Sequence, residues 1–144
     1  MKLQSLVLLV LLCAVAQGKV FDRCEWARCL KKHGMDGVGG GTLADWVCLT
    51  EHVSGYDTKA KNPGVWEGST DYGIFQINSR YFCRDDGPHA VNTCGVRCSA
   101  VLCPKAAIEC AKEVAIYIGL NAWQPWSTHC HGKDLSSYTA GCGV

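Results

Sequence analysis

The cysteines constrain this chain more than any other feature of its sequence. Eleven are present among 144 residues, and ten of them lie between Cys24 and Cys142. A small secreted domain with an even set of cysteines is typically held together by disulfides, whereas a zinc site needs a compact quartet of cysteine and histidine ligands. No histidine completes such a quartet around the closely spaced Cys94, Cys98 and Cys103. The pattern predicts a disulfide framework without a metal ion or other cofactor, but spacing alone does not give the pairing.

The first 18 residues have the composition of a secretory signal peptide. Lys2 supplies a positive charge, residues 6–15 form an apolar run, and Ala16-Gln17-Gly18 resembles the small-residue cleavage site of a signal peptide. The run is too short for a membrane span, which needs about 20 apolar residues. We therefore expect residues 1–18, with Cys13, to be removed, and residues 19–144 to form one secreted extracellular domain.

The charge of residues 19–144 is balanced. One of the 14 Lys and Arg is Lys2, which leaves 13 basic residues against 13 acidic ones. A neutral domain has no field that attracts polyanions. The composition therefore predicts neither nucleic acid nor a membrane as a partner, and we expect a monomer.

Two helical patterns lie in the first third of the domain. One covers residues 24–32. The other follows Thr42, which with Asp45 has the pattern of a capping box. In this second pattern Trp46, Leu49 and Val53 fall on one face, as expected of an amphipathic helix.

The middle of the chain changes character. Residues 59–80 are rich in Gly, Asn, Ser, Thr and aromatic residues, with short alternating runs, and predict a small antiparallel sheet. Helical patterns return at 105–118 and 123–129, where Pro125 is tolerable only in a first turn. Helices that flank a small sheet predict an α+β fold with a helical lobe, a sheet lobe and a cleft between them.

Several segments resemble the c-type lysozymes. The longest match runs from Ser69 to Tyr81 and reads STDYGIFQINSRY. Shorter matches cover Lys19–Glu25, Asp45–Leu49, Cys98–Ala100, Asn121–Trp123 and Gly141–Val144. The resemblance extends over nearly the whole domain and implies the c-type lysozyme fold. It also implies recognition of the β-1,4-linked N-acetylmuramic acid and N-acetylglucosamine chains of bacterial peptidoglycan.

The same resemblance implies a disulfide pairing. The expected bridges are Cys24–Cys142, Cys48–Cys130, Cys83–Cys98 and Cys94–Cys110. Cys29 and Cys103 are additional to that framework. They are compatible with a fifth bridge, with free thiols or with a dimer contact, and the sequence does not choose among these.

Lysozymes are the type example of catalysis by two carboxyl groups in different environments. One stays protonated in an apolar pocket and protonates the leaving oxygen, and the other stays ionised and acts as nucleophile. Asp71 stands at the nucleophile position of the family, with Ser69 and Asn78 nearby to keep it ionised. Val53 stands at the position of the acid, and valine has no proton to donate. The resemblance therefore predicts weak or absent hydrolysis.

Two neighbours of Val53 carry titratable groups. Glu51 lies about 160° away around the helix, at roughly 100° per residue, and is expected to point away from the cleft. His52 is closer in angle, and histidine is the residue type most suited to proton transfer near neutral pH, but a packed or surface histidine is the simpler interpretation. Neither is a convincing replacement for the missing acid.

The residues that the family uses to contact sugar rings or to line the acid's pocket are partly retained. Aromatic faces suit the apolar faces of sugars, while polar neighbours fix the hydroxyl groups. Phe82 replaces the usual tryptophan and so removes an indole N–H. The predicted binding residues are Gln76, Asn78, Tyr81, Ala122 and Trp123.

Three functions remain open from the sequence. The favoured one is saccharide binding with little or no hydrolysis, and the second is a working muramidase with altered acid catalysis. The third is a regulatory protein like α-lactalbumin, which residues 52–58 resemble. Residues 99–109 argue against it, because they offer only one carboxylate and Ca²⁺ takes 6–8 oxygen ligands.

Overall fold

The computed structural model describes residues 18–64, 67–87 and 90–144. The predicted signal peptide therefore lies outside the described residues except for Gly18, and so does Cys13. Within the described ranges, no helix is both long enough and apolar enough to cross a membrane.

The predicted α+β architecture is confirmed. The described residues contain four α-helices and one three-stranded sheet. Three of the helices begin and end within one residue of their predicted bounds, and the fourth begins directly after Thr42, as its capping box predicts. Short 3₁₀ turns lie between these elements at Val38–Gly40, Cys98–Leu102 and Leu120–Ala122, and a further one follows the last helix at Ser136–Tyr138. In chain order the elements are α1 (Arg23–Lys32), α2 (Leu43–Ser54), β1 (Lys61–Pro63), β2 (Thr70–Tyr72), β3 (Ile77–Asn78), α3 (Pro104–Tyr117) and α4 (Gln124–His129).

Local sequence signals set the limits of α2 and α4. The Thr42 hydroxyl accepts a hydrogen bond from the Asp45 amide at 3.1 Å, and the Asp45 carboxylate accepts one from the Thr42 amide at 2.9 Å. This capping box satisfies amides that have no partner within the helix. Gly55 ends α2 in the left-handed region, at φ +62°. Pro125 occupies the first turn of α4, where its missing N–H costs nothing.

An aromatic cluster joins the two lobes. Trp26 of α1, Trp46 of α2 and Phe75 of the sheet lobe are fully buried. The Phe75 ring lies 5.8 Å from that of Trp26 and 6.0 Å from that of Trp46. On the other side, Trp46 meets Trp123 edge to face at 5.5 Å. The core therefore holds the helices against the turn that connects β2 and β3, next to the cleft.

The sheet is antiparallel in the order β1-β2-β3. Residues 72–77 form one of the alternating runs from which the sheet was predicted, but they are not one strand, because residues 73–76 form the turn between β2 and β3. Gly73 has φ +80°, and a Cβ added there would lie 2.4 Å from the carbonyl oxygen of Val101. Only glycine fits this close approach of two backbones.

The four disulfides implied by the resemblance are present. Cys29 of α1 is a free thiol, so the bridge between Cys29 and Cys103 that the sequence left open is not formed. The Cys29 side chain is half-buried, its sulfur lies 3.9 Å from His33 Nδ1, and burial raises its pKa. A raised pKa lowers the fraction of reactive thiolate.

Candidate functional site

A cleft of about 760 Å³ lies between the helical lobe and the sheet. Every site residue predicted from the sequence lines it, although these residues come from α2, from the sheet lobe and from the segment before α4. The structure thus places in one cavity the predicted residues Val53, Asp71, Gln76, Asn78, Tyr81, Ala122 and Trp123.

Asp71 lies on β2, the central strand. The sheet register places it opposite Asn78 of β3. The Asn78 side-chain nitrogen donates to Asp71 Oδ1 at 2.8 Å and to the Ser69 hydroxyl at 2.9 Å. Burial raises the pKa of Asp71, and the Asn78 hydrogen bond offsets this only in part. The polar setting expected from the sequence is therefore present, but the net direction of the shift is toward the neutral form.

Asp71→Asn is expected to increase the free energy of unfolding at neutral pH. The folded protein holds the pKa of Asp71 above its value in the unfolded chain, which is about 3.9. The stabilising contribution of Asp71 is therefore complete below the unfolded pKa and is lost as the pH rises through the folded pKa. Asparagine has the same shape and keeps the oxygen that accepts from Asn78.

Urea unfolding of both proteins from about pH 3 to pH 8 measures this difference. The stability advantage of Asp71→Asn is expected to grow as the pH rises through the titration of Asp71. An advantage that shrinks over that range would show that ionised Asp71 is stabilised by the fold.

Val53 lies near the end of α2 and forms part of the helical wall of the cleft. It is half-buried and packs against the core. Asp71 is the only carboxyl group among the described residues that line the cleft. The helical wall thus presents a hydrocarbon side chain to the cavity.

Glu51 and His52 have separate environments. Glu51 is exposed and does not line the cleft, and its Oε1 accepts a hydrogen bond from Tyr138 Oη at 2.7 Å. His52 does line the cleft. Its Nε2 lies 3.4 Å from both Glu51 Oε1 and Tyr138 Oη, and its ring stacks on His129 at 4.3 Å. His52 is thus an exposed histidine whose ring stacks on His129 and whose Nε2 lies beside Glu51.

Three predicted binding residues have their polar groups engaged within the protein. The Gln76 amide nitrogen donates to the carbonyls of Gly73 and Ala60, at 2.9 and 3.2 Å. The Trp123 indole nitrogen donates to the carbonyl of Phe75 at 2.7 Å. The third is Asn78, whose side-chain nitrogen donates to Ser69 and Asp71. These residues shape the cleft walls, and Trp123 offers a ring surface rather than a donor.

Tyr81 and Ala122 are the predicted residues most open to a ligand. Tyr81 is 42 % exposed, and Ala122 is also exposed at the cleft. Tyr81 supplies an aromatic face whose hydroxyl group both donates and accepts hydrogen bonds.

Sequence reasoning missed part of the cleft rim. Val91 and Ile118 line the cavity and are 70 % and 53 % exposed. Apolar residues in a loop or at a helix end are indistinguishable in sequence from core residues, so no local signal reveals them. Besides His52, the other lining residues not predicted to bind are Ile77, Phe82, Thr93, Gln124 and Pro125.

One group of potential metal ligands lies beside the cleft. The ligand atoms of Cys48, His52 and Cys130 lie within 4.8 Å of one another. Both sulfurs belong to the Cys48–Cys130 disulfide, and a disulfide sulfur is not the thiolate that zinc needs. This group therefore does not form a zinc site.

A disulfide-bonded helical lobe and a small antiparallel sheet that enclose a cleft define the c-type lysozyme fold. The sequence profile of the C-type lysozyme/alpha-lactalbumin family matches residues 19–142. Lysozyme C II of Oncorhynchus mykiss is 55 % identical over 143 residues, which cover 96 % of this chain and 98 % of that protein. Lysozyme C-2 of Mus musculus is 54 % identical over 140 residues, with coverages of 94 % and 95 %. The chain belongs to the C-type lysozyme/alpha-lactalbumin family.

Proposed function

We propose that this protein is secreted and binds the β-1,4-linked saccharide chains of peptidoglycan with little or no hydrolysis. The named lysozymes among its relatives support the substrate class. The observation that carries the proposal is the composition of the cleft, where Asp71 is the only carboxyl group among the described lining residues and Val53 stands on the helical wall.

The expected weakness of hydrolysis follows from proton transfer. Cleavage of a glycosidic bond requires a proton on the leaving oxygen, and a positioned general acid contributes about 10²–10⁴-fold to the rate. By the family motif Val53 occupies the position of that acid. Asp71 alone provides a nucleophile or a negative charge for the transition state, without a proton donor opposite it.

A functional muramidase is the second candidate, because His52 lines the same cleft. An imidazolium group is a competent general acid near neutral pH. Against this role, His52 stacks on His129 and its Nε2 lies beside Glu51. Activity that falls as His52 loses its proton, and that His52→Gln abolishes, would favour the muramidase.

Tyr81→Ala is expected to weaken binding of chitohexaose (the β-1,4-linked N-acetylglucosamine hexamer) about tenfold, which corresponds to about 1.4 kcal/mol. The reason is the loss of an exposed aromatic face within the cleft. Isothermal titration calorimetry measures the affinity, and sedimentation with insoluble peptidoglycan tests the natural polymer.

Tyr117→Ala is the matched control. Tyr117 is 73 % exposed at the end of α3 and is not among the lining residues of the cleft. The Tyr117→Ala variant should bind chitohexaose as tightly as the wild-type protein does. If chitohexaose and peptidoglycan do not bind the wild type, the proposed function is wrong.

A further inference from the structure

We propose that Glu51, His52 and His129 bind a zinc ion on the surface of the helical lobe, at the edge of the cleft. Glu51 and His52 belong to α2, and His129 is the last residue of α4. Zinc binding there does not depend on saccharide binding by the cleft. The cysteine pattern predicted a domain without a metal ion, but it carries no information on a site whose ligands are two imidazoles and a carboxylate.

The first observation is the set of donor atoms. Two histidines and one glutamate are the protein ligands of one class of zinc site. The His52 and His129 rings lie parallel, with their centroids 4.3 Å apart, and His52 Nε2 lies 3.4 Å from Glu51 Oε1. In a tetrahedral site with bonds of about 2.0–2.2 Å, two ligand atoms are about 3.3–3.6 Å apart. The nitrogen of His52 and the oxygen of Glu51 are therefore already at the spacing that one zinc ion requires.

The second observation is that these groups have few competing partners. Among the described residues, Glu51 is ion-paired with His52 and with no lysine or arginine. The ring nitrogens of His129 form no hydrogen bond within the same part of the chain. Glu51 Oε1 does accept a hydrogen bond from Tyr138 Oη at 2.7 Å. Because a phenol stays protonated at neutral pH, Tyr138 is a positioning residue that orients the carboxylate, as hydrogen bonds to metal ligands commonly do.

The third observation is the rigidity of the backbone beneath the two histidines. The Cys48–Cys130 disulfide joins α2 to α4, with the two Cα atoms 6.0 Å apart and both cysteines fully buried. Cys48 lies about one helical turn before His52, and Cys130 directly follows His129. The disulfide therefore holds the histidines close together before a ligand binds, which lowers the entropy that binding costs.

Zinc binding requires one of the two stacked rings to turn. The lone pair of an imidazole nitrogen lies in the plane of the ring, so parallel rings do not direct their lone pairs at a common point. We expect His129 to turn, because it is exposed and its ring has no hydrogen bond to the described residues. The stacking of His52 on His129 should therefore be lost when zinc binds, and NMR of the ring protons detects that loss.

The test is a calorimetric titration of Zn²⁺ into the oxidised protein that carries Cys29→Ser, without reductant and at about pH 7.5. The disulfides then stay closed and the free thiol of Cys29 is absent, so that no thiolate of the described residues competes for the metal. We expect one ion per chain. Cu²⁺ should bind more tightly than Zn²⁺, as it does at most nitrogen and oxygen sites. Ca²⁺, which prefers oxygen ligands, should bind at least about tenfold more weakly than Zn²⁺.

Three further variants in the Cys29→Ser background identify the ligands. Glu51→Gln, His52→Gln and His129→Gln should each weaken Zn²⁺ binding at least about tenfold, because losing a group that only supports a ligand already costs about 10–100-fold. His131→Gln is the matched control. His131 is exposed and lies two residues after His129, but its ring packs on Trp126 instead. The His131→Gln variant should bind Zn²⁺ as tightly as its parent does.

Thermal unfolding provides a second measurement. An ion that binds only the folded state raises the Tm, so Zn²⁺ should raise the Tm of the parent but not that of a variant that combines His52→Gln with His129→Gln. Absence of Zn²⁺ binding, or an affinity for Ca²⁺ equal to that for Zn²⁺, would overturn the proposed site. Zn²⁺ binding that the Glu51, His52 and His129 variants retain, or that His131→Gln weakens as much as His129→Gln does, would also overturn it.

Discussion

Val53→Glu is expected to raise the rate of cell-wall clearing by at least about 100-fold over a wild-type protein that clears weakly or not at all. The substitution restores a proton donor on the helical wall of a cleft whose other wall carries Asp71. Val53 is half-buried against the core, and Trp123 lines the same cavity. Such apolar surroundings raise the pKa of a carboxyl group, as a general acid near neutral pH requires.

The measurement is the fall in turbidity of a bacterial cell-wall suspension between about pH 4 and pH 9. Val53→Gln is the matched control, because glutamine has the shape of glutamate but no acidic proton, and it should remain as inactive as the wild type. Adding Asp71→Asn to Val53→Glu should abolish the gain. Strong clearing by the wild type that Val53→Glu leaves unchanged would contradict the assignment of the missing acid and direct attention to His52.

The helices were predictable because their signals are local. The capping box of Thr42 and Asp45, and the apolar face that includes Trp46 and Leu49, fix α2 without reference to the rest of the chain. The strands are two or three residues long, and their limits depend on contacts with distant segments. At Gly73 the close contact is with the Val101 carbonyl, and no local sequence pattern predicts a contact between residues so far apart in the chain.

The family motif predicted which residues line the cleft, but it did not predict the hydrogen bonds that their side chains form. The hydrogen bonds of Gln76 to Ala60 and of Trp123 to Phe75 join residues far apart in the sequence. The direction of the pKa shift of Asp71 also depends on burial by the folded lobes. Sequence identifies a polar neighbour such as Asn78, but it does not weigh that hydrogen bond against the loss of water.

Removal of the Cys24–Cys142 disulfide is expected to lower the free energy of unfolding by about 5 kcal/mol, against about 3 kcal/mol for Cys94–Cys110. The reason is loop length, since these bridges join residues 118 and 16 positions apart. A longer closed loop removes more conformational freedom from the unfolded chain. Both effects are a large part of the 5–15 kcal/mol that is typical of a folded domain.

These two bridges form a matched pair because each joins one half-buried and one buried cysteine. Replacing both cysteines of either bridge by alanine therefore creates similar packing defects, and the difference between the two variants reports loop length. A Cys29→Ser background prevents the free thiol from attacking the remaining disulfides. Unfolding in guanidinium chloride gives both free energies. Equal losses, or a greater loss for Cys94–Cys110, would mean that native packing around the sulfurs outweighs the entropy of the unfolded chain.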